Sequence, residues 1–175
     1  MKNGSKAIAF GLVLLITLSN AALVSAASDN ASYYGGTVAV FKDAKKEING
    51  HLVTKDETNL EFLYGKNNSE KLSIPYSSFI DMEYGQKSGR RVGAAVATTV
   101  LLGPIGLLTL LSKKQDHFLT LGFKDGDGKD QVAIFKLNKD MVRTVLPILE
   151  ARSGKKVEYQ TKDAQKKATG KMPTT

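Results

Sequence analysis

Two imidazoles, His51 and His117, are the chain's whole supply of side chains that titrate unperturbed near neutral pH. Neither has a second histidine at metal-ligand spacing, and the 175 residues contain no cysteine. A zinc-type site therefore has no ligand set, and each imidazole reads as a structural or surface group on a strand. Asp125, Asp127 and Asp130 give the run a superficial calcium-loop look, but no glutamate closes it at the twelfth position. The Asp-Gly pairs in that stretch point instead to a hairpin turn. No nucleophile elbow is present, and Gly93, Gly103 and Gly106 lack the order and the strand-to-helix setting of a phosphate loop. The expected chemistry is binding, with no catalytic residue, cofactor, metal or small-molecule substrate.

The elements that would position these residues follow from short apolar runs. Residues 37–41 (TVAVF) and 47–54 (EINGHLVT) have strand character, with the polar residues 42–46 between them. Leu60, Phe62 and Tyr64 alternate in residues 59–64, and Leu72 and Ile74 do so in residues 70–74. Pro75 and the serines after it predict a corner, since proline cannot donate to a ladder and serine favours turns. Residues 79–84 form the next predicted strand, with Ile80, Met82 and Tyr84 on one face and Asp81 and Glu83 on the other. Residues 117–124, carrying Leu119, Leu121 and Phe123, and residues 131–137 complete seven strands. Met141, Val142, Val145, Leu146 and Leu149 then recur at helical spacing behind the capping residue Asn138, up to Gly154. Pro147 lies inside that pattern and predicts a kink or irregular turn near Arg143.

Between the fifth and sixth strands lies an insert, residues 88–114, whose centre at residues 92–111 carries no charge. Its length matches the ~20 apolar residues of one membrane-spanning helix. Gly103-Pro104-Ile105-Gly106 breaks it in the middle, however, and basic residues flank both ends, so a single oriented span is disfavoured. A helical hairpin is expected. In one reading its tip, Val100, Leu101, Leu102, Ile105, Leu107 and Leu108, enters one leaflet while Arg90, Arg91, Lys113 and Lys114 meet anionic headgroups. In another, Gly85, Gly89, Gly93 and Ala97 form a small-residue ridge at every fourth position, which lets a partner helix or a second copy approach closely. A hairpin that simply covers the domain's own core is the plainer alternative.

Both ends of the chain differ from the middle. Lys2 and Lys6 precede the apolar residues 7–18, and Val24-Ser25-Ala26 offers small residues where a signal peptidase reads, so residues 1–26 are expected to be a signal peptide. Export then implies a periplasmic or extracellular protein held together without disulfides. Residues 27–35 read as a polar lead. The formal net charge is +8, and much of that excess lies in residues 155–175, expected to be a disordered basic tail. No aromatic platform is interleaved with the charge, so a nucleic-acid partner is not indicated.

Seven short strands followed by one amphipathic helix is the element order of the pleckstrin-homology-like fold. The stretch Leu72-Ser73-Ile74-Pro75-Tyr76-Ser77-Ser78-Phe79-Ile80-Asp81-Met82-Glu83-Tyr84 also resembles the Ile-Pro-Tyr corner of bacterial PH-like and GRAM-like domains. An apolar insert containing glycine and proline before strand six is similar to one in exported bacterial proteins of this type. Phe79 stands where an acidic residue is commoner. The resemblance covers residues 36–154 and implies a mainly β, bent antiparallel sandwich with its open end plugged by the helix. It also implies binding of a lipid headgroup, peptide or protein. The basic first loop of phosphoinositide binders is only weakly echoed by Lys42, Lys45 and Lys46.

Overall fold

Alternation of apolar side chains brings one face of every strand into a common core. The computed structural model describes residues 28–44, 46–86 and 116–170. The protein is mainly β, a mixed eight-stranded sheet with two α-helices. The strands are β1 (Ser28–Gly36), β2 (Ile48–Val53), β3 (Asn59–Tyr64), β4 (Glu70–Pro75), β5 (Phe79–Gly85), β6 (His117–Lys124), β7 (Asp130–Leu137) and β8 (Val157–Tyr159). Helix α1 (Lys139–Ser153) follows β7, and α2 (Lys162–Thr169) follows β8. The sheet order is β4-β3-β2-β1-β7-β6-β5-β8, antiparallel except where β8 runs parallel to β5. Every strand and both helices contribute to one hydrophobic cluster, in which Leu52, Tyr84, Leu119, Leu121, Phe135, Val145 and Leu149 are wholly buried. Each such side chain stabilises the fold by about 1.5–3 kcal/mol.

The first strand departs from the sequence expectation. Residues 28–36, expected to be mostly polar lead, form β1 in the middle of the sheet, between β2 and β7. Ala31 and Tyr33 point into the core, Tyr34 packs against Phe118, and small polar residues and glycines fill the other positions, so composition hid the strand. Its hydrogen bonds come from two long-range neighbours, and tertiary pairing overrides weak local propensity. Gly36 ends the strand at φ 132°, where a Cβ would lie 2.0 Å from the Val132 carbonyl oxygen, so the close approach of β1 to β7 requires glycine there. Residues 37–41 are not a strand. They contain a 3-10 turn, Ala39–Phe41, whose three-residue spacing buries Val38 and Phe41 together while Val40 stays exposed.

The remaining strands lie where alternation places them, with one shift in β5. Its register with β6 slips between Phe79 and Asp81, a bulge that sends Phe79 and Met82 to the core and Ile80 to a second cluster.

Helix α1 is continuous over fifteen residues, and the irregularity expected near Arg143 does not occur. Pro147 removes the donor that would reach the Arg143 carbonyl, but Pro147, Arg143 and Thr144 lie on the exposed face, where water can satisfy that group. Asn138 occupies the N-cap position without a side-chain capping bond, and Gly154 ends the helix in the left-handed conformation. Arg152 anchors the helix to the β2–β3 connection. Its Nη1 donates to the Thr54 carbonyl, to the Asp56 carbonyl at 2.8 Å and to the Tyr76 hydroxyl at 3.2 Å.

The expected disordered tail is folded through residue 170. Val157, Ala164 and Ala168 join the core cluster, and Thr161 caps α2 by accepting from the Ala164 amide at 3.0 Å. Parallel pairing with β5 supplies hydrogen bonds that the tail's composition could not reveal.

Candidate functional site

The surface features that chemistry can use gather at the end of the sheet where β6 begins. Pairing of Gly85 with Phe118 sets the last residue of β5 beside the start of β6. The residues that leave at Gln86 and return at Asp116 therefore depart from and re-enter the same end. Leu137 pairs with His117 in that region, so α1 starts there too. A cleft of about 670 Å³ opens between these elements, lined by His117, Lys139, Asp140, Val142, Arg143 and Lys167. Lys139 and Arg143 are four residues apart and share one face of α1. Lys167 comes from α2, whose backbone carbonyl at that residue accepts from Arg143 Nε at 3.2 Å.

His117 is the half-buried floor of this cleft. Its Nδ1 meets the buried Tyr84 hydroxyl, and the two rings lie nearly parallel with centroids 6.0 Å apart. Burial holds the imidazole below its ordinary pKa, the charges of Lys167 and Lys139 push the same way, and Asp116 opposes them. Burial pushes the Tyr84 phenol up to about 12, so both partners are neutral at pH 7. The phenol oxygen and Nδ1 share one hydrogen bond, whose direction follows the imidazole tautomer. That nitrogen is thus occupied by a structural bond, and the cleft presents positive charge from Lys139, Arg143 and Lys167. Three cations against the one carboxylate of Asp140 leave the cleft net positive.

The other sequence candidates are placed as follows. His51 lies on β2 beside a polar recess with Asn30, Asn49, Asn68 and Lys136, away from His117. Asp125 is consumed by its own turn: Oδ1 accepts from the Asp127 and Lys129 amides at 3.0 and 2.9 Å, and Oδ2 accepts from Gln131 Nε2 at 2.8 Å. These bonds hold its carboxyl below the usual range. Asp130 pairs with Lys124 at 2.7 Å. Among the described residues no group of three or more histidines and carboxylates could hold a metal. Lys42 and Lys46 are exposed beside the 3-10 turn, and Lys45 lies outside the described residues.

Gly85 is the last residue of β5 rather than the start of a helical ridge. A Cβ there would lie 1.8 Å from the Gln160 side chain, which in turn donates to buried Glu83 at 2.7 Å. Its missing side chain serves the β5–β8 contact. Gly89, Gly93 and Ala97 lie outside the described residues, as do Arg90, Arg91, Val100, Leu101, Leu102, Ile105, Leu107, Leu108, Lys113 and Lys114, and so does the signal-peptide stretch. Among the described residues no helix is long and apolar enough to cross a membrane.

Sequence reasoning missed Lys139, Arg143 and Lys167. The signal was available in the four-residue spacing of Lys139 and Arg143 and in that of Ala164 and Ala168, which marks a small buried helical stripe in the tail. The chain matches no protein-family model and no curated relative.

Proposed function

We propose that this chain is an exported, non-enzymatic module of PH-like architecture that associates with anionic membrane surfaces through its apolar insert. The architectural part rests on two antiparallel meanders, β1 to β4 and β5 to β7, joined through the pairing of β1 with β7 and followed by a helix whose apolar stripe enters the core. Strand β8 and helix α2 are additions to that plan. The observation that carries the membrane part is the pairing of Gly85 with Phe118. Both ends of residues 87–115 belong to adjacent strands of one sheet, so a single crossing would put halves of a continuous sheet on opposite sides of the bilayer. A hairpin dipping into one leaflet avoids that conflict. The cleft of Lys139, Arg143 and Lys167 opens at the same end, where headgroups would lie. Each basic side chain near an anionic surface contributes roughly 1 kcal/mol.

Sedimentation with vesicles tests the proposal. Leu101→Asp and Leu107→Asp should each release the protein, because a carboxylate in hydrocarbon costs a few kcal/mol, on the order of 2–3. Arg90→Glu with Lys113→Glu should weaken binding to anionic vesicles more than to neutral ones. Unchanged binding of both aspartate variants would overturn the membrane role. A change of oligomer size in Gly93→Leu would then assign the insert to assembly with a partner or a second copy.

A further inference from the structure

The basic cleft is assembled by three elements, all within the described residues. Strand β6 supplies His117, the first turns of α1 supply Lys139, Asp140, Val142 and Arg143, and α2 supplies Lys167. The charges of Lys139 and Lys167 both act on the half-buried imidazole, so two ammonium groups approach His117 from different helices. Arg143 ties those helices together. Its Nε donates to the Lys167 carbonyl at 3.2 Å, which positions the guanidinium and leaves its Nη pair outside that bond.

The charge balance in the cleft is unlike that of the sheet. On the strands, Lys71, Lys124 and Lys136 each face a carboxylate, Glu61, Asp130 and Asp116, at 2.7, 2.7 and 3.5 Å. Among the described residues neither Lys139 nor Arg143 enters an ion pair. The one carboxylate lining the cleft is that of Asp140, so an excess of two positive charges is left. Asp116 also acts on the imidazole, and its charge is shared with Lys136. Like charges gathered in a partly enclosed cleft repel one another, and a bound anion turns that repulsion into attraction. A phosphate dianion matches both the excess and the donors: two lysines as point charges, and a guanidinium whose planar fork grips phosphate in a bidentate way.

We propose that this cleft binds a phosphate group, as free phosphate or a phosphate monoester, clamped by Lys139, Arg143 and Lys167 above the floor made by His117. At about 670 Å³ the cleft exceeds what the phosphate alone needs, so the rest of a small phosphorylated molecule or headgroup fits beside it. The Tyr84 hydroxyl engages Nδ1 of the imidazole, which leaves Nε2 as the ring nitrogen available to a ligand. A dianion at the floor favours the imidazolium, so binding and protonation of His117 reinforce each other. The site goes beyond the membrane proposal, because β6, α1 and α2 alone build it and it binds whether or not the insert enters lipid.

Proton NMR of the full chain tests this directly, because His117 and His51, told apart through His51→Gln, are the only imidazoles. At constant ionic strength, inorganic phosphate should shift the His117 resonances saturably and raise that residue's titration midpoint by about half a pH unit or more, while His51 stays unchanged. Lys139→Gln with Arg143→Gln, both at exposed positions, should weaken phosphate binding about tenfold or more, whereas Lys155→Gln should not. The absence of a saturable shift at His117, an equal response at His51, or an unchanged affinity in the double variant overturns the proposal. Vesicles distinguish the source of the phosphate. If it is a lipid headgroup, the parent should prefer phosphatidic acid to phosphatidylserine at matched surface charge, and the double variant should lose that preference. Equal binding of both vesicles with the phosphate response intact assigns the site to a free phosphate compound. A parent that binds neither vesicle yet keeps the phosphate response sinks the membrane proposal and leaves this site standing.

Discussion

The Tyr84 hydroxyl and the His117 imidazole meet across β5 and β6, with ring planes 11° apart. Tyr84 pairs with Leu119 in the ladder, so His117 is its diagonal neighbour on the core face. This contact engages the Nδ1 side of the imidazole at the floor of the basic cleft.

Acid should therefore weaken the fold through His117. Its folded pKa lies below the unfolded value near 6.5, so its contribution is fully present above that value and is lost as pH falls from there toward the folded pKa. In urea unfolding, His117→Gln should lose stability at pH 8, because the Tyr84 hydroxyl loses its imidazole partner. It should also show a flatter decline between pH 7 and pH 5. A variant with the parent's slope would place the titration elsewhere.

Arg152→Met should cost about 2–3 kcal/mol, since it removes charge-assisted bonds to two carbonyls and the Tyr76 hydroxyl together with the guanidinium lying 5.5 Å from the Tyr76 ring centroid. The expected signature in urea is a lower midpoint with an unchanged slope. A midpoint within error of the parent would mean that the β2–β3 connection holds without this anchor.

Ala168→Asp puts a carboxylate into the contact of α2 with the core, where Ala168 is 5% exposed. A loss of about 2–4 kcal/mol is expected. Amide exchange should rise first in β8 and α2. Were residues 155–175 a solvated tail, the substitution would change nothing.

Gly85→Leu distinguishes the strand from a helix-packing ridge. The added side chain collides with Gln160 and disrupts its bond to Glu83, so a loss of about 1–3 kcal/mol is expected with no change in oligomer size. Altered assembly at unchanged stability would contradict the placement of Gly85 in β5.

Much of the fold is legible in local pattern. Alternation at Leu60, Phe62 and Tyr64 and at Leu119, Leu121 and Phe123 places β3 and β6 and their inward faces, because a strand buried on one side must show that period. The helical spacing from Met141 to Leu149, with Gly154 after it, sets the extent of α1. Three features escape local reading. Polar β1 is a central strand because β2 and β7 hydrogen-bond it from both sides, which no property of Asn30 or Ser32 announces. The lysine-rich tail folds because β5 offers β8 an edge and the core accepts Ala164 and Ala168, both long-range effects. The cleft exists only where the start of β6, the first turns of α1 and helix α2 converge, so topology alone brings His117 and Lys167 to the Lys139 and Arg143 face of α1. The sequence by itself determined which residues repel water and at what period, and hence most of the elements. Which polar segments those elements would shelter, and which charges they would bring together, was decided by pairing between distant parts of the chain, because hydrogen bonds and burial gained there outweigh weak local preferences.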